Sequence, residues 1–157
     1  MFIEGVDPVT IKIIGQLTLS TVLGMLIGIE RQRRGKPAGL RTYTLVALGS
    51  TLFTAISLNG GLSGIGAGGY DPSRIASQVV VGIGFIGAGM IFLKEDSVFG
   101  LTTAAGLWAT AAVGMAIGFS LYAVAIYTTL LILLVLWVFR YLDSRISQHR
   151  FDEHNGQ

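Results

Sequence analysis

The chain has 157 residues, and its charge is concentrated in a few short clusters. The 20 charged residues lie in five clusters that span 49 positions, and the other 108 positions carry no formal charge. Hydrophobic residues make up 52% of the chain and charged residues 13%, whereas roughly a quarter of the residues in a soluble domain are charged. These proportions exclude a water-soluble globular protein and indicate an integral membrane protein.

The uncharged positions form four uninterrupted runs, at 13–29, 42–70, 75–93 and 97–139. A membrane core of about 30 Å takes about 20 helical residues, so the last run, of 43 residues, must cross twice. Its natural break is the turn at 118–120. The predicted class is therefore an all-α membrane protein with five transmembrane helices, at about 11–29, 42–58, 74–93, 101–118 and 121–142. We expect a glycine-rich loop at 59–69 and a polar cytoplasmic tail at 143–157.

The basic residues predict the orientation of these helices. Nine of the eleven lysines and arginines fall on one side of the five-helix arrangement, and only Lys12 and Arg74 fall on the other. The positive-inside rule then places the N-terminus outside and the C-terminus in the cytoplasm. Glu4 and Asp7 stand where a signal peptide would carry basic residues, so the first apolar run is expected to remain as a membrane helix.

Glycines along the predicted helices indicate close packing, since glycine lowers helix stability unless it lets two backbones approach each other. In the third helix, four glycines fall within residues 82–89. This density favours tight packing and leaves open that the helix unwinds to line a polar path. Its match to G-x-G-x-x-G is discounted because no strand precedes it. The predicted packing residues are Gly24, Gly28, Gly82, Gly84, Gly87, Gly89, Gly106, Gly114 and Gly118, with Trp108 between helices.

Two helical hairpins resemble each other in sequence. Gly28 and Gly39 bracket the first predicted cytoplasmic loop, and Gly89 and Gly100 bracket the second at the same spacing. The helices that follow open with the related tetrapeptides GLRT and GLTT. This pattern indicates a parallel repeat about an axis along the membrane normal, with the fifth helix appended.

The most polar stretch, at 30–42, lies at the predicted cytoplasmic face. Topology and attraction to anionic lipid headgroups account for most of its basic residues. Glu30 fits less well, because a carboxylate at a helix C-terminus needs a cationic partner, and the candidates are Arg31, Arg41 and Lys94. The functional interpretation is a polar cytoplasmic vestibule formed by Glu30, Arg41, Thr42, Thr102 and Thr103.

The outer side carries fewer polar residues, namely Asp71, Arg74 and Gln78. Asp71 or Ser73 is expected to cap the third helix. Gln78, like Gln16 in the first helix, is expected to hydrogen-bond between helices. The absence of an acid at mid-membrane depth weighs against an ion-coupled transporter.

Catalytic and metal-binding chemistry is not expected. The chain has no cysteine, and its two histidines, His149 and His154, lie in the polar tail. No serine, histidine and acid converge, and no pair of carboxylates is placed for acid–base work. We therefore predict no enzyme activity, no catalytic or metal site and no cofactor.

Several segments resemble the MgtC/SapB family of bacterial inner-membrane proteins, namely GIER at 28–31, AGLRT at 38–42, RIASQ at 74–78, GIGFIGAG at 82–89 and GLTTAAGLW at 100–108. The resemblance implies a multi-pass inner-membrane protein linked to growth in low magnesium and, in some members, to survival inside host cells. One branch is similar to regulators of the proton-driven ATP synthase. The chain ends soon after the fifth predicted helix, so we expect a short form without the soluble C-terminal domain of longer members. The motif positions are Glu30, Arg41, Thr42, Arg74, Gln78, Gly82, Gly84, Gly87, Gly89, Thr102, Thr103 and Trp108.

Two hypotheses follow. The first is a non-enzymatic protein that works by helix–helix contact, as a homo-oligomer or on another inner-membrane protein complex. The second is a small transporter or channel with a path between the two helical repeats. The expected partners are the lipid bilayer, anionic headgroups at the first cytoplasmic loop and other membrane helices, and no nucleic acid is expected.

Overall fold

The computed structural model describes residues 7–59, 71, 73–95 and 97–154, with side chains to residue 139. Within these residues the chain forms five helices and one short hairpin, which confirms the all-α membrane class. The elements are α1 (Pro8–Arg33), α2 (Leu40–Asn59), α3 (Ser73–Ala88), β1 (Phe92–Lys94), β2 (Ser97–Phe99), α4 (Leu101–Gly118) and α5 (Tyr122–His154). From residue 60 onward, the predicted glycine-rich loop lies outside the described residues.

Three of the described helices are long and apolar enough to cross a membrane. They are α1, α4 and the Tyr122–Phe139 part of α5. The apolar helix α3 is shorter, at 16 residues. Helix α2 is less apolar because it carries many hydroxyl side chains, among which Ser50, Thr51 and Thr54 are buried inside the protein.

The predicted break in the longest apolar run is confirmed. Helix α4 ends at Gly118, and Ser120 has a φ of 65°, in the left-handed region that closes many helices. The backbone N–H of Leu121 donates to the carbonyl of Ala116 at 2.8 Å, which satisfies one of the last carbonyls of α4. The chain can then reverse direction and begin α5.

The predicted third helix, at 74–93, is too long at its C-terminal end. Helix α3 ends at Ala88, and strands β1 and β2 pair antiparallel from Phe92 opposite Phe99 to Lys94 opposite Ser97. The two phenylalanine rings stack with centroids 5.8 Å apart. Glycine at the end of α3 weakens helix propagation, and the ring stack stabilises the alternative hairpin. At the other end of the chain, α5 continues as a helix beyond the predicted end at 142, to His154.

Helix α4 lies at the centre of the bundle. It packs against all four other helices, and its contact with α2 is the most extensive of these. The main apolar cluster joins α1, α2, α3 and α4 through residues that include Ile27, Tyr43, Ile83 and Leu107. Helix α3 contacts α2 and α4, and α5 contacts α4 and α1, so both are peripheral.

The parallel repeat and the orientation in the membrane stay predictions. The connection within each helical pair is different: a coil joins Arg33 to Leu40, and the β1–β2 hairpin joins α3 to α4.

Gly100 has a φ of 89°, so it adopts a left-handed conformation at the start of α4 that favours glycine.

Candidate functional site

Glycines bring α1 and α2 into backbone contact. A Cβ atom added at Gly24 would lie 2.9 Å from the Cα of Thr44, and one added at Gly28 would lie 2.7 Å from the Cα of Leu40. Both distances are shorter than a carbon–carbon contact allows. The spacing of four residues therefore places two close approaches on one face of α1.

Three glycines of α4 form the corresponding contact with α2. A Cβ atom at Gly106 would lie 2.6 Å from the Tyr43 hydroxyl, and one at Gly114 would overlap the carbonyl oxygen of Ala47. The close approach lets the Thr51 hydroxyl donate to the carbonyl of Gly114 at 2.8 Å. The third glycine, Gly118, faces Thr54 across the same interface. The central interface is thus held by backbone proximity and a buried hydrogen bond.

The glycines of α3 have different surroundings. An added Cβ would meet nothing within 4 Å at Gly82 or Gly84, and only an ordinary contact with Ala104 at Gly87. At Gly89 the nearest atom is a carbonyl of the preceding turn. Gly82 and Gly84 therefore do not pack closely within the chain. Helix α3 is continuous from Ser73 to Ala88, so these glycines do not unwind it.

Trp108 was expected between helices, and this prediction is wrong. The side chain is 54% exposed. The buried face of α4 contains Leu107, Ala111 and Gly114, and a residue one position after Leu107 is rotated about 100° away from that face.

A buried arginine lies at the end of α1. Arg31 is only 3% exposed, and its Nη2 donates to the Thr103 hydroxyl at 3.1 Å. Thr103 also accepts, at its carbonyl, a hydrogen bond of 3.3 Å from the Tyr43 hydroxyl. These residues join α1, α2 and α4 in one polar cluster, which we call the Arg31 cluster.

Arg31 was not singled out as a site residue from the sequence, although a signal was present. It continues the buried stripe of α1 that includes Gly24, Ile27 and Gly28. A charged residue in register with an apolar and glycine stripe is expected to face inward. Its position within a run of basic residues concealed that register.

Glu30 pairs with a residue that was not among its expected partners. Its Oε1 atom accepts a hydrogen bond from Nε of Arg34 at 3.1 Å, one turn further along the same chain segment. This is the only ion pair among the residues whose side chains are described. The expected pairs with Arg31, Arg41 or Lys94 are therefore wrong, because a partner at i+4 is available without crossing to another element.

The residues predicted as one vestibule are divided among three places, and Glu30 lies apart from the others, beside Arg33 and Arg34. Thr102 and Thr103 line a cleft of about 380 Å³ together with Arg31 and Lys36. Arg41 and Thr42 line a separate cleft of about 470 Å³ between α2 and α3, whose other lining residues are mostly apolar. Arg41 itself is exposed.

Among the outer residues, Asp71 has the capping role predicted for it. Oδ1 of Asp71 accepts hydrogen bonds from the backbone N–H of Ser73 at 2.9 Å and from its hydroxyl at 2.7 Å. These bonds lower the pKa of the Asp71 carboxyl, since they stabilise its charged form. Arg74 and Gln78 are exposed on α3, so the interhelical hydrogen bond predicted for Gln78 is wrong, because its side chain points away from α2 and α4 in the described part of the chain.

Gln16 forms the interhelical contact predicted for it. The side chain is buried, and its Nε2 donates to the carbonyl of Ile117 at 2.8 Å and to that of Gly118 at 3.2 Å. It therefore satisfies terminal carbonyls of α4 that have no partner within the helix.

Comparison with known proteins identifies the family. The MgtC family profile matches residues 17–145. The chain is 46% identical over 144 residues to "Putative magnesium transporter YhiD" of Escherichia coli (strain K12), covering 90% of this chain and 67% of that protein. It is 47% identical over 114 residues to Protein MgtC of Brucella abortus (strain 2308), covering 73% of this chain and 45% of that protein.

A third relative is Protein SapB of Bacillus subtilis (strain 168). It is 35% identical over 159 aligned positions, which cover 94% of this chain and 64% of that protein. The chain thus spans from somewhat under half to two thirds of the length of these three relatives. No solved structure matches it. On the extent of the family match and these identities, the chain belongs to the MgtC family.

Proposed function

We propose that this chain is a non-enzymatic, multi-pass protein of the bacterial inner membrane that acts by helix–helix association in adaptation to low magnesium. It works as an oligomer or as a regulator of another membrane complex. Family membership and the name of the Escherichia coli relative support the link to magnesium. The packing of α3 supports association as the mode of action.

The observation that carries the proposal is the outward face of α3. Phe85 is 85% exposed, Val81 is 68% exposed, and Gly84 between them has open space beside it. The opposite face of the helix buries Ile83 and Gly87 against the bundle. A glycine lowers helix stability by about 1 kcal/mol relative to alanine, and no contact within the chain offsets this loss at Gly84. A second helix packed against this face would recover it through close backbone approach.

The packing of the bundle centre favours association over a path through the chain. A path through the bundle centre, between the α1–α2 pair and α4, would have to separate α2 from α4. Those two helices are in close contact at Gly106, Gly114 and Gly118, and at Gly114 the nearest atom of α2 belongs to its backbone. Opening this interface would expose the Thr51 hydrogen bond and leave cavities where the glycines now pack.

One observation favours transport as a second candidate function. The cleft between α2 and α3 begins at Arg41 and Thr42 and extends to Phe53, so it follows α2 across much of its length. A helix as thin as α3 can shift against α2 to widen such a cleft. The name of the Escherichia coli relative describes a transporter.

Association is tested by blocking the α3 face. In a lipid bilayer, subunit counting by single-molecule photobleaching is compared for the unmodified chain, Gly84→Leu and the matched control Gly15→Leu. Gly15 is also a helical glycine with nothing within 4 Å, but it lies on α1. If the unmodified chain is an oligomer, we expect Gly84→Leu alone to shift the population toward monomers. If the unmodified chain is a monomer, we expect Gly84→Leu alone to abolish co-purification of its partner complex. Equal behaviour of both variants in both assays would contradict the proposal.

Transport is tested by magnesium flux into proteoliposomes. Flux that Arg41→Ala removes while assembly stays intact would support the transporter and defeat association as the sole function. Loss of flux with Gly84→Leu alone would instead show that transport requires assembly.

A further inference from the structure

The Arg31 guanidinium holds more hydrogen-bond donors than its surroundings use. An arginine side chain presents five N–H donors, and in this structure one of the nitrogens, Nη2, is bonded to Thr103. The Nε atom is buried and has no partner. Arg31 forms no ion pair among the residues whose side chains are described, and a buried unpaired charge is costly, so this arrangement is explained best if an anion approaches the guanidinium.

The first turn of α4 faces the same cleft. Gly100, Leu101, Thr102 and Thr103 line it together with Arg31. Gly100 is the N-cap residue, and no side chain caps the helix. The backbone N–H of Ala104 donates to the carbonyl of Gly100 at 2.9 Å, which is the first hydrogen bond of the helix. The preceding amides and the positive end of the helix dipole therefore attract negative charge into this cleft.

The charge of the cleft has one sign. Lys36 lines it beside Arg31, and no carboxylate is among the lining residues in the described part of the chain. The nearest acid in sequence, Glu30, pairs with Arg34 through Oε1, does not line the cleft, and has a buried Oε2 without a hydrogen-bond partner. The cleft volume of about 380 Å³ falls within the range of about 300–1,000 Å³ that is usual for small-molecule sites.

We propose that this cleft binds a phosphoryl group, held by the Arg31 guanidinium, the first-turn amides of α4 and the Lys36 ammonium. A phosphoryl group offers several acceptor oxygens on a compact, multiply charged centre, which suits a guanidinium together with helix amides. This site is more specific than the general attraction of the basic loop to headgroups, because it is built on one buried side chain. It does not depend on how the helices associate.

Two sources can supply the phosphoryl group, an anionic phospholipid and free phosphate. Phe92, Val98 and Phe99 of the hairpin form an apolar wall of the same cleft. That wall fits the glycerol and the first acyl carbons of a lipid, which free phosphate lacks. The shared chemistry is the phosphate oxygens, and the experiment separates the two sources.

The test uses the full chain in nanodiscs of phosphatidylcholine. In one arm, inorganic phosphate is titrated against chloride at constant ionic strength and binding is measured by calorimetry. In the other arm, phosphatidylglycerol is added to the nanodiscs, and the lipid retained by the protein is counted by native mass spectrometry. Binding in either arm supports the site and identifies its source. Binding in neither arm overturns the proposal.

Three variants locate the binding. Arg31→Gln should weaken it by about tenfold or more, since hydrogen bonds to charged groups are worth about 1.5–3 kcal/mol. Lys36→Gln, at an exposed position that leaves the fold intact, should weaken it several-fold and decides the test if Arg31→Gln fails to fold. Arg33→Gln removes the same charge from an exposed position outside the cleft, and should change binding less than twofold. If Arg33→Gln weakens binding as much as the cleft variants do, or if Arg31→Gln and Lys36→Gln bind like the unmodified chain, the site is refuted.

Discussion

The glycines of the α2–α4 interface and the glycines of α3 have opposite surroundings. In α4, Gly106 and Gly114 lie where an added Cβ would overlap atoms of α2. In α3, Gly84 lies beside open space on the outer face, and Gly82 lines the open cleft between α2 and α3. Glycine density in a membrane helix therefore indicates a thin face, but only the position of a neighbouring helix shows whether the contact is made within the chain.

The largest difference in stability is expected when one methyl group is added at a glycine of the α2–α4 interface and, separately, at a glycine of α3. Gly114→Ala forces a Cβ into the carbonyl of Ala47, so we expect a loss of about 2 kcal/mol in the free energy of unfolding. Gly84→Ala adds the same methyl group where there is room, and should gain up to about 1 kcal/mol from helix propensity. Denaturant titration of the detergent-solubilised monomer measures both. Equal effects of the two changes would show that the two faces do not differ.

A smaller effect is expected at the two glutamines. Gln16→Leu removes a donor to the carbonyls of Ile117 and Gly118, of which the first also accepts from the backbone N–H of Ser120, and should cost about 1 kcal/mol. Gln78→Leu is the matched control on the exposed face of α3, and should change stability by less than about 0.5 kcal/mol. The same unfolding titration applies. A larger loss at Gln78 would mean that the outer face of α3 is engaged within the chain.

A weaker coupling is expected for the ion pair at the end of α1. A double-mutant cycle of Glu30→Gln with Arg34→Gln should give about 0.3–0.5 kcal/mol, as for other i,i+4 pairs. The matched cycle of Glu30→Gln with Arg41→Gln should give a coupling near zero. A coupling to Arg41 that exceeds the coupling to Arg34 would restore Arg41 as the partner of Glu30, as the sequence allowed.

The smallest effect concerns the start of α3 and depends on pH. Because the pKa of Asp71 is lowered by hydrogen bonds from Ser73, the stabilisation is present above the usual aspartate pKa and is lost as pH falls through the lowered value. Amide hydrogen exchange, corrected for intrinsic rates, should show the first turn of α3 opening more readily at low pH. Asp71→Asn should remove this pH dependence, and its persistence in that variant would assign it to another group.

The positions of the helices could be read from the sequence because membrane helices leave long uncharged runs. The turn after Gly118 and the contact made by Gln16 followed from the same patterns. The β1–β2 hairpin did not, since residues 92 and 93 continue an apolar run and nothing local distinguishes a strand from the end of a helix.

The polar site was predicted less well, for a physical reason. Basic residues around Arg31 serve topology as a group, so their number conceals which one faces inward. The helical register does reveal it, since Arg31 lies one turn after Ile27 and Gly28 on the buried face of α1. The cleft lined by Arg31 is separate from the cleft lined by Arg41 because of the position of α3. No local sequence pattern specifies that position.

The central claim, that the outer face of α3 contacts another helix, is tested most directly by disulfide crosslinking in native membranes. The chain has no cysteine, so Gly84→Cys and the control Gly15→Cys each introduce a single thiol. After mild oxidation, we predict that Gly84→Cys alone forms a crosslinked dimer or, with a bifunctional thiol–amine reagent, a crosslink to a partner. Crosslinking of Gly15→Cys to the same extent, or none at Gly84→Cys with either reagent, would contradict the account.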